Sequence, residues 1–398
     1  MTSKSTTTNL LSYKDFITSA LDNNCQVHSV YTDFNKAFDS VSHKYLIHKL
    51  KAQFGIDGIH LRWFQSYLRE RYQRVVLNGI ESNWILARSG VPQGSILGPS
   101  LFIMYVNDMP SCLQHSECLL FADDVKFFKK IKSLCDCSVL QSDLENFRLW
   151  CEKWKLSLNF EKCCSMNFSL KRKFDICFQY HFSDYVLRTV DEIKDLGVYF
   201  KSNLCFNRHV SFVVKKSFQM LGFVKRVAKS FKDIHVLKTL YNSYIRSRLD
   251  YCSQVWSPNP KCAIYKIERV QRVFVKFLCF QARIEYKSDN YAALCKHFHL
   301  TTLAHRREVS DIMLFYKITN NMINCNYLTS AIYLKVPIRI TRNTELFTTE
   351  KKSRLLLRKH DFFPRTTSCV NKMMKPNVID IFNVTSFSLK RYLIEQCT

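Results

Sequence analysis

The chain contains no Cys-x-x-Cys pair, no internal repeat and no low-complexity linker. It also lacks any run of about 18 apolar residues, the length a membrane-spanning helix needs. The Ser/Thr-rich start, Met1 to Leu11, shows no basic segment followed by an apolar one, so no secretory signal is expected. Cysteine itself is plentiful at 17, an odd number. Without a secretory leader these read as reduced thiols of the cytosol or nucleus, used mostly as small core residues. Cys295, His297 and His299 lie close together but lack the paired spacing of a zinc finger. Acidic residues are the scarce charge, 33 Asp+Glu against 59 Lys+Arg, which leaves a net +26. So basic a chain expects a polyanionic partner, nucleic acid first and an acidic membrane surface second.

What is present is a core-forming sequence, 47% hydrophobic over 398 residues, enough for two or three domains. Leu10, Leu11, Phe16, Ile17, Ala20 and Leu21 recur at helical spacing. Val27 to Phe34 is rich in β-formers and predicts a strand ending near Asp33. Helices are expected over Lys44 to Phe54 and Leu61 to Arg69, and paired strands over Gln73 to Leu77 and Trp84 to Arg88. Pro99 opens a helix through Met109, and Val139 to Leu156 forms a longer one with Leu140, Leu144, Phe147, Trp150, Cys151 and Trp154 on one face. Short strands are expected near Ser165–Phe168, Ile176–Tyr180 and Leu196–Phe200. Phe212 to Lys232 has no acidic residue and carries Lys215, Lys216, Lys225, Arg226, Lys229 and Lys232, a basic helical stretch. The rest reads helical to about Asn321, then irregular and basic.

The chemistry concentrates at Phe121-Ala122-Asp123-Asp124, where apolar residues on both sides predict strand, tight turn, strand. Two adjacent carboxylates repel and raise each other's pKa. A pair of hard divalent cations resolves that conflict, because Mg2+ takes oxygen ligands and leaves positions for phosphate. Taken alone, the tetrapeptide fits a solvated Asp-Asp turn better. Upstream, Asp33 ends its strand and leads into Phe34-Asn35-Lys36-Ala37-Phe38-Asp39; between the two segments lies the loop Gly90-Val91-Pro92-Gln93-Gly94-Ser95.

Tyr31 to Asp39, Gly90 to Pro99 and Phe121 to Asp124 resemble, in order and spacing, motifs A, B and C of reverse transcriptases, with the wording of non-LTR (LINE-type) retrotransposons of the jockey group. Trp150 to Asn159 through Lys162 resembles motif D, and Lys194 to Val198 the primer grip. Looser matches follow at Tyr244 to Cys252, Glu268 to Arg272 and Leu303 to Asn320.

The resemblance implies an α+β right-hand polymerase palm with a partial fingers remnant, a helical thumb and a helical C-terminal extension. The expected boundaries are a reverse transcriptase domain over 1–204 (fingers remnant 1–25, palm 26–204), a thumb-like region over 205–290 and the extension over 291–398. It implies RNA-directed DNA synthesis from RNA template, DNA primer and dNTP, with two Mg2+ ions held by Asp33 and Asp123 and supported by Asp124. Backbone at Lys36 and Ala37 would meet the triphosphate. Phe38 would exclude a ribose 2′-OH, though it also fits an ordinary core position. Gln93 and Gly94 would line the incoming nucleotide, glycine allowing close approach. Lys162 would protonate pyrophosphate, or simply be solvated. The family's fingers precede the palm, whereas Met1 falls within what resembles their last motif, so most of the fingers and any endonuclease are expected to be absent and nucleotide binding weak. A non-catalytic nucleic-acid-binding remnant is therefore the alternative, and a group II intron maturase a more distant one.

Overall fold

In the computed structural model, which describes residues 4–395 apart from 171–175, 229–232, 336–344, 349–352 and 375–378, the chain falls into two compact units. One is continuous, 24–191; the other joins 1–23 to 192–398. The expected boundary near 204 therefore falls inside the second unit, and the N-terminal helix groups with the C-terminal half of the chain.

That helix, α1 (Thr6–Asp22), begins on a capping box between Ser5 and Thr8. It buries the apolar face expected of it, including Leu10, Leu11, Ile17 and Leu21.

The continuous unit opens with β1 (Gln26–Thr32), buried along almost its whole length. Within it, His28 Nδ1 lies 2.8 Å from the Tyr180 hydroxyl. There follow α2 (Ala37–Ser40), α3 (His43–Phe54) and α4 (Gly58–Leu68). The expected pair of strands after them forms as two very short ladders, β2 (Tyr72–Gln73) with β5 (Ile85–Leu86) and β3 (Val76–Leu77) with β4 (Ile80–Glu81). Helix α5 (Leu97–Val106) takes Pro99 in its first turn, where a missing N–H costs no hydrogen bond. Strands β6 (Glu117–Phe121) and β7 (Asp124–Ile131), helix α6 (Leu134–Lys153) and β8 (Cys164–Phe168) follow. The strand expected at Ile176–Tyr180 forms one step later, as β9 (His181–Phe182) paired with β10 (Tyr185–Val186). With β11 (Arg188–Thr189) the main sheet has the order β11-β8-β1-β7-β6, placing β1 at its centre. Helix α6 covers that sheet with Leu140, Leu144, Phe147, Trp150 and Cys151, as its spacing predicts. Phe147 meets the rings of Phe127 at 4.7 Å and Phe34 at 6.1 Å.

In the other unit β12 (Glu192–Asp195) and β13 (Val198–Lys201) form a hairpin. Leu196 and Gly197, expected within a strand, make its turn, both at positive φ, the signature of a type I′ turn. The basic stretch is α7 (Asn207–Val227); Lys229 and Lys232 lie outside the described residues. Beyond Asn321 the chain is more helical than expected, with helices at Leu356–Lys359, Phe362–Met374 and Ser386–Glu395. Their apolar residues, Phe362, Phe363, Val370, Leu389 and Leu393, are buried. Within this unit α1 is tied down by charge. The Lys14 ammonium lies 2.8 Å from Asp361, Thr18 donates to the same carboxylate at 2.7 Å, and Arg358 pairs with Asp15.

All the described cysteines are free thiols, seven of them buried. No helix among the described residues is long and apolar enough to cross a membrane.

Candidate active site

The site is built at one end of the β1–β7 pair. Thr32 pairs with Val125, so Asp33 leaves β1 at the end of the ladder where β7 begins with Asp124. Phe121 and Asp124 close the β6–β7 hairpin across Ala122 and Asp123. Ala122 takes φ 53°, the positive value that a type II′ turn asks of its first central residue. The strand–turn–strand reading of this segment is thus what the fold contains, and the register carries Asp33, Asp123 and Asp124 to one sheet end.

A third segment closes on them. Past the end of β1 the chain pairs with the stretch after α6: Asn35 N–H donates to Ser157 at 2.7 Å, Asn159 N–H donates to the Asp33 carbonyl at 2.8 Å, and Phe34 bridges to Leu158. The turn Asn159–Lys162, closed by a 3.1 Å hydrogen bond, then delivers the Lys162 ammonium to 3.1 Å from Asp33 Oδ2. That oxygen is shielded from solvent and accepts no well-formed hydrogen bond, although the carboxylate as a whole is 31% exposed.

The donor set fits a hard divalent cation. It offers carboxylate oxygens at a strand end, one of them buried without a hydrogen bond, and hard ions take oxygen ligands. The three aspartates nevertheless do not stand as a ready cage: no group of three His, Cys, Asp or Glu side chains among the described residues is placed to hold a metal ion. Asp33 takes the Lys162 ammonium as its counter-charge.

The loop of Gln93 and Gly94 is laced to the residues after Asp33. Gly90 N–H donates to Val41 at 2.8 Å, Val91 N–H to Phe38 at 2.8 Å, and the Ser89 hydroxyl to Asp39 at 2.8 Å. The Gln93 amide donates to the Asp39 carboxylate at 2.8 Å, and His43 Nε2 to the Gly90 carbonyl at 2.7 Å. Of Gly90 and Gly94, Gly90 is the one under contact: a Cβ would lie 2.8 Å from the Asp39 Cα, and φ is +91°. Gly94 has φ +77° and nothing within 4 Å of such a Cβ, so its side faces open space. Phe38 is half-buried and stacks on Phe102 of α5 at 4.6 Å. Lys36 is exposed and holds the left-handed conformation, φ 49°, while Ala37 is buried.

Sequence reasoning gave no role to Asp39, His43 or Gly90. The first and last stood inside the quoted motifs, and only their pairing in three dimensions reveals what they do. It also missed Lys49. This lysine is wholly buried, donating to the Tyr105 carbonyl at 2.6 Å and Asp108 at 2.5 Å, with its ammonium 3.7 Å from the Trp154 ring centre. Burial lowers its pKa to about 8. The two tryptophans of the motif D segment, Trp150 and Trp154, are its walls.

The family model for reverse transcriptase (RNA-dependent DNA polymerase) matches residues 3–224, more than half of the chain. This chain belongs to that family. Among curated proteins it is similar to the RNA-directed DNA polymerase from mobile element jockey of Drosophila melanogaster, 31% identical over 205 residues, covering 50% of this chain and 22% of that protein. It is also similar to the probable RNA-directed DNA polymerase from transposon X-element of the same fly, 26% identical over 274 residues, 66% of this chain and 29% of the relative. The chain thus spans between about a fifth and a third of the length of these relatives. Among solved structures, apo telomerase from Candida tropicalis superposes with a TM-score of 0.40 at 11% identity, over 75% of this chain and 50% of that one.

Proposed function

We propose that the chain is the polymerising part of a non-LTR retrotransposon reverse transcriptase, extending a DNA primer on an RNA template with dNTP. The observation that carries the reading is the register of β1 and β7, which gathers Asp33, Asp123 and Asp124 at one sheet end inside the family match.

Asp33 and Asp123 would hold two Mg2+ ions, with Asp124 in support; when bound, such ions neutralise phosphate charge and lower the pKa of the primer hydroxyl. The chain's own residues do the rest. Lys36 and Ala37 present backbone to the triphosphate. Gln93, anchored on Asp39, and Gly94, with open space beside it, line the incoming nucleotide. Phe38, braced by Phe102, stands as the wall against a ribose 2′-OH. Lys162 holds a proton beside Asp33 and can release it to departing pyrophosphate. Palm, thumb-like helices and C-terminal extension are the division of labour this reading assigns to 26–204, 205–290 and 291–398.

A second reading, a nucleic-acid-binding remnant without catalysis, rests on the net charge of +26, which suits a polyanionic partner with or without polymerisation. Primer extension on poly(rA)/oligo(dT) with and without Mg2+ separates the two. Asp123→Asn keeps shape and removes one ligand charge, so extension is expected to vanish while RNA binding persists. Equal loss of both would make Asp123 structural. Metal-independent RNA binding with no extension by the unaltered chain would establish the second reading.

A further inference from the structure

Between α4 and the loop of Gln93 and Gly94, inside the unit of 24–191, the chain runs out and back as the ribbon of β2 to β5. Residues 69–86 are exposed without exception. Two-stranded ribbons are marginal in water unless another surface covers one of their faces. This one covers none of its side chains within the chain, yet it carries large rings.

Those rings are joined to arginines. The Arg74 guanidinium lies 4.5 Å from the centre of the Trp84 ring. On α4, Trp63 and Tyr67 stack at 5.5 Å with their planes 10° apart, and Arg71 lies 5.3 Å from the Tyr67 ring. Arg71 stands at the base of the ribbon, where its carbonyl accepts from the Ala87 N–H at 2.8 Å, so the helix rings adjoin the ribbon. Trp63 is 53% exposed and Trp84 60%. The acids between positions 58 and 88 are Glu70 and Glu81, and each is met by an arginine, Arg69 and Arg74. Arg62, Arg71 and Arg88 are left as uncompensated positive charge. Leu77 and Ile80 pair on one face of the ribbon, whereas Arg74 shares the other with Glu81, so the apolar tip and the arginine–tryptophan pair point to opposite sides.

We propose that Trp63, Tyr67 and Trp84, with Arg71 and Arg74, form a stacking platform for single-stranded nucleic acid. Exposed rings take unpaired bases face on, and guanidinium groups beside them meet the phosphates. The bases of a duplex are already stacked on one another and offer no free face. The basic excess matches a polyanion. A second copy of this chain fits less well, because a twofold contact through this face would set the uncompensated arginines against each other. The platform uses none of Asp33, Asp123 and Asp124 and does not depend on polymerase activity.

The test is fluorescence anisotropy with the full chain at fixed salt and without dNTP. The probes are a labelled RNA of about 12 nucleotides, the DNA of the same sequence and a blunt RNA duplex. Removing a ring from under a base costs about 5- to 150-fold in affinity. Trp63→Ala and Trp84→Ala should each weaken unpaired RNA by at least about fivefold and the duplex by less than about twofold. Trp84→Phe keeps a ring and should retain most of the affinity. Positions this exposed leave the fold standing, which an unchanged Tm verifies. The same losses are expected in the Asp123→Asn chain, which separates the platform from the polymerase reading. Equal losses with RNA and DNA assign it to the bases of either strand, and a loss confined to RNA assigns it to RNA. Losses as large for duplex as for single strand, or no loss at all, overturn the proposal. No loss together with a shift in sedimentation gives the face to a second copy instead.

Discussion

Asp33 holds the ammonium of a lysine that is itself 67% exposed. Ion pairs with so much access to water are worth only about 0.2–1 kcal/mol, so this one is easily exchanged for a divalent ion. Lys162→Met is therefore expected to lower the Mg2+ concentration giving half-maximal primer extension by a few fold, while slowing the maximal rate if Lys162 donates a proton. A titration of extension against Mg2+ measures both; an unchanged midpoint would show that the lysine does not compete for Asp33. At this scale the sequence was informative where residues are chemically costly. Adjacent aspartates inside an apolar hairpin call for an explanation on their own. Asp39 was opaque because its partners, Gln93 and Ser89, lie 54 and 50 residues away. Lys49 was opaque because a lysine on an amphipathic helix reads as solvated, and only the tertiary fold puts two tryptophans around it.

Between elements, the turn after β1 and the loop before α5 meet by backbone contact, and the glycines there separate into two kinds. Gly90→Ala forces a Cβ to within 2.8 Å of the Asp39 Cα as well as straining φ. It should cost about 2–4 kcal/mol, by overpacking and strain together. Gly94→Ala meets no atom within 4 Å and should cost only the conformational part, about 1 kcal/mol. Urea denaturation of the two variants provides the comparison, and equal losses would contradict it.

The junction of α1 with the C-terminal helices rests on buried charge instead. Burial alone would raise the Asp361 pKa, yet Lys14, Arg358 and Thr18 hold it down to about 2, below its ordinary 3.8. The unfolded chain then binds more protons than the folded one between those values. The stabilisation is complete above about pH 4 and is lost as pH falls through about 2. Asp361→Asn leaves the Lys14 ammonium buried without its partner and should cost about 3–5 kcal/mol at neutral pH. It should also flatten the acid limb of the stability curve; an acid limb identical to that of the unaltered chain would exclude Asp361 as its source. Element positions were legible where period and burial agree, as in α3, α6 and β8. They were not legible after Asn321, where apolar residues at helical spacing are diluted by Ser, Thr, Lys and Arg.

For the molecule as a whole, the net charge of +26 predicts RNA binding that weakens steeply with salt. The same surface carries an apolar feature that charge does not hide. Val75, Leu77 and Ile80 of the short β-ribbon are 70%, 70% and 77% exposed. Exposed apolar patches on strands promote association. Replacing these three with Lys, Ser and Thr is expected to shift the chain towards monomer in analytical ultracentrifugation without lowering its Tm; an unchanged sedimentation profile would place the association elsewhere.

The two-unit organisation has a consequence for biosynthesis. Helix α1 is made before the unit of 24–191, but the partners of Lys14 and Thr18 are encoded more than 300 positions later. The unit of 24–191 is continuous and can fold as it emerges, whereas α1 must wait through its entire translation with Leu10, Leu11 and Ile17 unsatisfied. The apolar face of α1 thus stays without its partners while the residues between it and Asp361 are made. A pause before the helices Leu356–Lys359 and Phe362–Met374 are made would lengthen that exposure.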